Sequence, residues 1–318
     1  MSLPVTVYRW DDAGAPSLTG RTQADFIAII KACLATGYGT KAAAGWTVAF
    51  EDAGTTQLVL RNDTVNGSGG FLHLYASGAN AAGGTLLMVS AKNMTALGAY
   101  TDRGWISAIK SQSTQHTQWV IFATSKGFYF YLKTSANTTA VGSGSYEYFF
   151  FAGDFQSTLI NDAGNFVIVK QLQNSDDITA SSSVETIQSI APNNSVCKIY
   201  DADGGNGSLT YYASKGLLYD LSTTVDGSAE DKGLQHYLQP WSLVTTSQFT
   251  PDRVGTPAVN STKSPSLRGF LPGLMNSSFS GYGNKPWPAI ETFNNAQHLG
   301  IGNGYNIQLW LNMETWYD

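Results

Sequence analysis

The chain has 318 residues, with 18 Lys plus Arg against 23 Asp plus Glu, and charged residues make up only 13% of it, so its surface is neutral and polar. A net charge of -5 without any basic block argues against nucleic-acid binding, which draws its affinity from clustered Lys and Arg. With 42% hydrophobic residues, including 8 Trp, 16 Tyr and 15 Phe, the chain can bury enough apolar area to offset its ordering entropy, which excludes wholesale disorder.

Met1 to Trp10 lacks the basic segment, apolar stretch and small-residue cleavage site of a secretory leader, and is expected to be a mature N-terminus. An amphipathic helix is predicted over about residues 22–36. Thr22 can cap it while Asp25 returns a bond to the cap amide, and Phe26, Ile30, Cys33 and Leu34 form one stripe that Ile27 and Ile29 widen. Gly37 follows as a terminator, and the helix should pack on a sheet.

Almost everything after it reads as strand. The segments 57–61, 71–75, 166–170, 196–200 and 306–311 are short, rich in β-branched or aromatic residues and flanked by Gly, Asn or Ser. Trp119 to Ala123 and Phe128 to Leu132 have the layout of an antiparallel hairpin, with Gly127 expected at a positive-φ position of its loop. Connections dense in Gly, Ser, Thr and Asn suit turns, so the sheets should be mostly antiparallel. No window approaches the ~20 apolar residues of a membrane helix, and no membrane association is expected.

The segment from Pro240 to Pro288 holds Pro240, Pro251, Pro257, Pro265, Pro272, Pro286 and Pro288, which predicts long ordered coil there. The expected fold is mainly β with minor α: antiparallel, sandwich-like sheets, one helix packed on a sheet, and coil in the C-terminal half. Two β-rich domains are expected, 1–170 with the helix and 171–318 with the Pro-containing coil.

The chain lacks a phosphate loop, a dinucleotide-binding glycine turn, a nucleophile elbow and a zinc helix. Cys33 and Cys197 read as buried hydrophobes, and His73, His116, His236 and His298 as surface or packing residues. Asp201 to Ser208 superficially resembles a calcium loop, but Gly205 replaces a ligand and Tyr212 stands where a bidentate Glu belongs, so a Gly-rich turn is favoured. No catalytic residue, metal site or cofactor is assigned. Asp154, after the aromatic run Tyr146 to Phe151, is the acid to inspect first, because apolar surroundings raise a carboxyl pKa; the alternative is a turn acid at a strand end.

Val7-Tyr-Arg-Trp-Asp-Asp-Ala-Gly-Ala-Pro-Ser-Leu-Thr-Gly20, then the helix, then Leu34-Ala-Thr-Gly-Tyr-Gly-Thr-Lys-Ala-Ala-Ala-Gly-Trp-Thr47, resembles the opening of a family of tailed-bacteriophage virion proteins. Sparser collinear similarity follows in Gly70 to Tyr75, the Trp119 to Leu132 hairpin, Phe150 to Phe155, Leu267 to Leu274 and Thr315-Trp316, while Asn174 to Pro265 departs from the family pattern. The resemblance implies a non-enzymatic structural part of a virion, in the tail or baseplate, with a capsid-associated position (decoration or head-tail junction) and a receptor- or glycan-binding module as alternatives. Its partners would be other virion structural proteins and further copies of itself, assembled in the host cytoplasm. Leu3, Val5, Val7, Trp310 and Trp316 are expected at subunit contacts because they are apolar yet terminal. Removing either terminal segment is expected to block incorporation while leaving the fold intact.

Overall fold

The computed structural model describes residues 2–111, 114–134, 148–170, 195–204, 210–215, 238–245, 267–281, 286–302 and 307–317. Two short strands open the chain, β1 (Leu3–Pro4) and β2 (Thr6–Arg9), ahead of helix α1 (Gln23–Lys31). Thr22 and Asp25 form the reciprocal capping box, and α1 widens into a π-helical turn, Ala32–Thr36, closed by Gly37 at φ 76°. Its apolar stripe, Phe26, Ile30, Cys33 and Leu34, is fully buried.

The next five strands form an antiparallel meander: β3 (Thr47–Asp52), β4 (Gln57–Arg61), β5 (Phe71–Ala76), β6 (Leu86–Ala96) and β7 (Ala99–Ile109). Polar turns and the loops 62–70 and 77–85 return the chain, so neighbours in sequence are neighbours in the sheet. Then come β8 (His116–Ala123), β9 (Gly127–Thr134), β10 (Tyr148–Asp154), β11 (Gln156–Ser157) and β12 (Phe166–Val169). A second sheet has the order β12-β10-β9-β8-β2, so the N-terminal strand crosses back to pair with β8.

The third sheet is built from β13 (Ser195–Ile199), β14 (Thr210–Lys215), β15 (Leu238–Thr245), β16 (Leu267–Gly281), β17 (Ile290–Phe293), β18 (Ala296–Gly302) and β19 (Ile307–Asn312). It runs β13-β14-β15-β16-β19-β18-β17, with β11 attached to β16. The last strand, β20 (Thr315–Trp316), pairs with β1 and brings the two chain ends together. Among the described residues the fold is thus mainly β with one helix, in antiparallel sheets, as the sequence predicts.

Alternation along the central strands sorts side chains between two cores. Trp119, Ile121, Phe128, Phe130 and Phe150 face the helix and the meander, meeting Leu58, Leu72 and Met88. Val120, Phe122, Tyr129, Tyr131 and Phe149 face the third sheet, meeting Trp241, Leu271, Leu309 and Trp316. The central sheet is therefore covered on both faces, which is why β10 reads as an unbroken aromatic run and every one of its residues is buried. Residue 170 follows β12 directly, and the segments before and after it share the second core.

Three local expectations change. Gly127 does not take a positive φ; it is the first residue of β9, and a Cβ there would meet the Phe151 ring and the Tyr317 hydroxyl at 2.9 Å. Close packing is what selects glycine there. Second, where the Pro240 to Pro288 segment is described, residues 238–245 and 267–281 are strands rather than coil, and residues 246–266 lie outside the described residues. Pro272 is tolerated because β16 bulges there: Pro240 pairs with Met275 and Ser242 with Phe270, and on the other side pairing with β19 starts at Leu274, leaving Leu271 to Gly273 outside both ladders. Third, Trp316 is 1% exposed and packs edge-on to Tyr129 at 5.1 Å, so removing the C-terminal strand would open the core instead of sparing the fold.

Candidate functional site

The residues that carry the family resemblance converge on the outer edge of β2. In the antiparallel register with β8, Tyr8 opposes Ile121 and its neighbours Val7 and Arg9 leave outward backbone groups at the end of the sheet. Those groups are closed by side chains. Lys41 Nζ donates to the Val7 carbonyl at 2.6 Å, and the Arg9 amide donates to Asp12 Oδ2 at 2.7 Å. The same Asp12 oxygen accepts from the Tyr38 hydroxyl at 2.7 Å and lies 2.6 Å from Lys41 Nζ.

Tyr38 and Lys41 belong to the Gly-Tyr-Gly-x-Lys stretch, and two of its glycines explain their own presence. A Cβ on Gly39 would lie 2.2 Å from the Ala13 carbonyl oxygen, and one on Gly37 would lie 2.7 Å from the Lys41 carbonyl oxygen. The turn after the helix thus docks backbone to backbone on the turn before it. Trp46 completes the lock by donating to the Thr124 carbonyl at 3.0 Å. An exposed sheet edge invites pairing with another chain, and a charged side chain laid across it prevents that. The motif blunts the edge of β2.

Beside this edge lies an apolar crevice lined by Val7, Trp10, Trp287, Pro288, Ile290 and Met313 over a floor of Val120, Phe122 and Leu299. Ile290 is 38% exposed, and Arg9 lies 5.1 Å over the Trp10 ring while pairing with Asp11. Of the five residues expected at subunit contacts, Val5 and Val7 are partly buried and pack on the second core from this side. Leu3 is partly buried and pairs with Trp316 in the β1–β20 ladder. Trp310 and Trp316 are 0% and 1% exposed, so their apolar surface is already covered within the chain. Trp287, expected from the sequence to anchor the Pro-rich segment by burial, and Ile290, which the sequence reading did not single out, are the additional crevice residues. Their only sequence signal was an aromatic between two prolines.

A second concavity, about 430 Å³, opens at the other end of the central sheet beside Asp154. Asp154 is 1% exposed, and burial pushes its carboxyl up to about 6 against the opposing pull of its hydrogen bonds. Oδ1 accepts from Asn62 Nδ2 at 2.9 Å and from the Ser68 hydroxyl, and Oδ2 accepts from the Ser68 amide at 2.8 Å. The carboxylate therefore ties the 62–70 loop to the end of β10. Asp162, the other acid at this cavity, is held by Arg268 through two bonds of 2.7 Å. Both acids are bonded to protein partners, an arrangement that anchors the surrounding loops.

The remaining candidates fall into packing roles. Cys33 is buried, and desolvation holds its thiol well above the ordinary value. His73 is stacked on Tyr75 at 4.7 Å, and burial lowers its pKa to about 4. His116 and His298 are buried as well, and His236 lies outside the described residues. Asp201 to Gly204 makes a tight turn closed by a 2.8 Å bond, with Lys92 donating to the Gly204 carbonyl; the rest of that stretch lies outside the described residues up to β14. Among the described residues no three His, Cys, Asp or Glu side chains are grouped to hold a metal ion. No protein-family model matches the chain, and no curated protein matches it either.

Proposed function

We propose that this protein is a non-enzymatic structural component of a tailed-bacteriophage virion, most specifically a tail or baseplate protein that works through contacts with copies of itself and with other virion proteins. The resemblance of residues 7–47 to that family carries the reading. The residues behind the resemblance have scaffold roles: Asp12, Tyr38 and Lys41 close a sheet edge, Gly37 and Gly39 permit backbone contact, and Trp46 locks the turn. A blunted edge suits a subunit that must assemble through defined side-chain surfaces and not by open-ended strand pairing. The crevice around Val7, Trp287 and Ile290 supplies such a surface, apolar at its centre and charged at its rim, as subunit contacts usually are.

The test is quantitative mass spectrometry of purified particles, combined with labelling of the intact virion. The expected result is a fixed copy number that is a small multiple of the tail's rotational symmetry. Copies in the hundreds would move the protein to a capsid-associated position, and particles lacking it would overturn the proposal.

A further inference from the structure

We infer that the cavity beside Asp154 is a binding site for a neutral saccharide unit. This inference does not rest on the virion reading, since it uses only the chemistry of the cavity wall. Four separate parts of the chain meet there: the 62–70 loop, the β8–β9 turn, the segment following β10, and the C-terminal Tyr317. Its volume of about 430 Å³ falls within the range of small-ligand sites, about 300–1,000 Å³.

The wall is dominated by amides and hydroxyls. Asn66, Gln156, Asn161 and Asn165 line it together with Lys126 and Tyr317. An amide side chain offers a donor and an acceptor at fixed separation, which matches adjacent hydroxyl groups on a sugar ring. Asn161 and Asn165 make no side-chain hydrogen bond to the described residues, and the buried Asn165 Oδ1 has no partner; the Lys126 ammonium lies over the Tyr317 ring at 5.1 Å and acts electrostatically on Asp154. The Asn161 and Asn165 amides are therefore uncommitted, whereas the acids behind them are bonded.

Charge selects the ligand class. Arg268 neutralises Asp162 through paired bonds, and Lys126 stands opposite the Asp154 carboxylate, so the two cations and two acids around the cavity cancel. A site without net charge favours an uncharged polyhydroxyl ligand over an anion or a cation. Tyr317 contributes an apolar wall whose position is fixed by its hydroxyl donating to the Asp154 carbonyl at 2.7 Å.

The test uses the full chain and saturation-transfer-difference NMR with lactose, maltose and chitobiose as neutral probes and sialyllactose as the anionic comparator. Asn161→Gly keeps the positive φ of 60° while deleting one amide, and Asn165→Leu deletes an amide that no protein group uses. The expected result is binding of at least one neutral disaccharide, weakened about tenfold or more by each substitution, as expected for one lost hydrogen bond. Both variants should melt no lower than the wild type, which separates a ligand contact from a folding role. The inference is overturned if no neutral disaccharide binds, if both variants bind as the wild type does, or if only sialyllactose binds and Lys126→Met abolishes it. Absence of the protein from particles alongside saccharide binding would reject the virion reading and leave this site standing.

Discussion

The Lys41 ammonium and the Val7 carbonyl meet at 2.6 Å across the outer edge of β2, and the same ammonium pairs with Asp12. Lys41→Met keeps the length of the side chain and removes both contacts. The expected cost is about 1–2 kcal/mol, because the lost bonds are charge-assisted but partly solvated. A second effect should be larger in practice. The freed carbonyl of Val7 reopens a pairing edge, so light scattering at equal concentration should rise in the variant. Unchanged urea midpoints together with unchanged scattering would remove the edge-closing role assigned to Lys41.

Gly127 and Gly153 pair directly between β9 and β10, and Gly153 holds φ at 140°. A Cβ on Gly153 would lie 2.3 Å from the Gly127 Cα and 2.5 Å from the Lys126 carbonyl oxygen. Neither atom can move away without breaking the ladder. Gly153→Ala should therefore destabilise the protein by roughly 2–4 kcal/mol, the sum of backbone strain and steric displacement. Gly98→Ala is the matched control: its φ is 69°, but nothing lies within 4 Å of the added carbon. Its cost should stay near the left-handed penalty alone, about 1 kcal/mol. Chemical denaturation of the two variants side by side measures the difference.

The helix was legible because its signals are local: the Thr22 and Asp25 cap and the 26-30-33-34 stripe lie within a few turns. The β8–β9 hairpin was legible for the same reason, although the backbone conformation of Gly127 was not. The return of β2 to β8 and the meeting of β1 with β20 were not, since those pairings join residues more than a hundred positions apart and periodicity says nothing of partners. Trp310 and Trp316 illustrate the consequence for the site. An apolar terminal residue reads the same whether another subunit or the chain's own core covers it, and here the core does. Asp154 was found from its aromatic surroundings, whereas its partners Asn62 and Ser68 come from a loop that carries no marker of where it folds.

Asp154 gives stability a specific pH dependence. Burial raises its carboxyl from the ordinary 3.8 to about 6, with the bonds from Ser68 and Asn62 and the charge of Lys126 pulling the other way. A carboxyl with a folded pKa above its unfolded value holds its proton more tightly in the native state. Its contribution to stability is therefore complete below about pH 4 and declines as pH rises to about 6, by roughly 3 kcal/mol, then stays level. Asp154→Asn cannot titrate and lacks this slope. Urea unfolding of both proteins between about pH 4 and pH 7 isolates the term as the wild-type minus variant difference, which should shrink as pH rises. A difference that is flat, or that grows with pH, would remove the burial account of this carboxyl.

Trp316 and Ile290 differ sharply in burial, at 1% and 38% exposed. Trp316 is buried, donates from Nε1 to the Asn312 carbonyl at 2.8 Å, and fills the space that Gly273 leaves open in the β16 bulge, where a Cβ would meet the indole at 2.2 Å. Trp316→Ala should cost about 3–5 kcal/mol, as for other large buried aromatics, read as a lower urea midpoint. Ile290 is 38% exposed at the rim of the apolar crevice. Ile290→Lys should change stability by less than about 0.5 kcal/mol, because the side chain is already partly in water. Under the proposed subunit-contact role it should nonetheless weaken self-association, since it places a charge in an apolar contact. Sedimentation velocity on the folded variant reads this directly. Ile290→Lys protein that melts as the wild type and associates as the wild type would show that the crevice is not the contact surface.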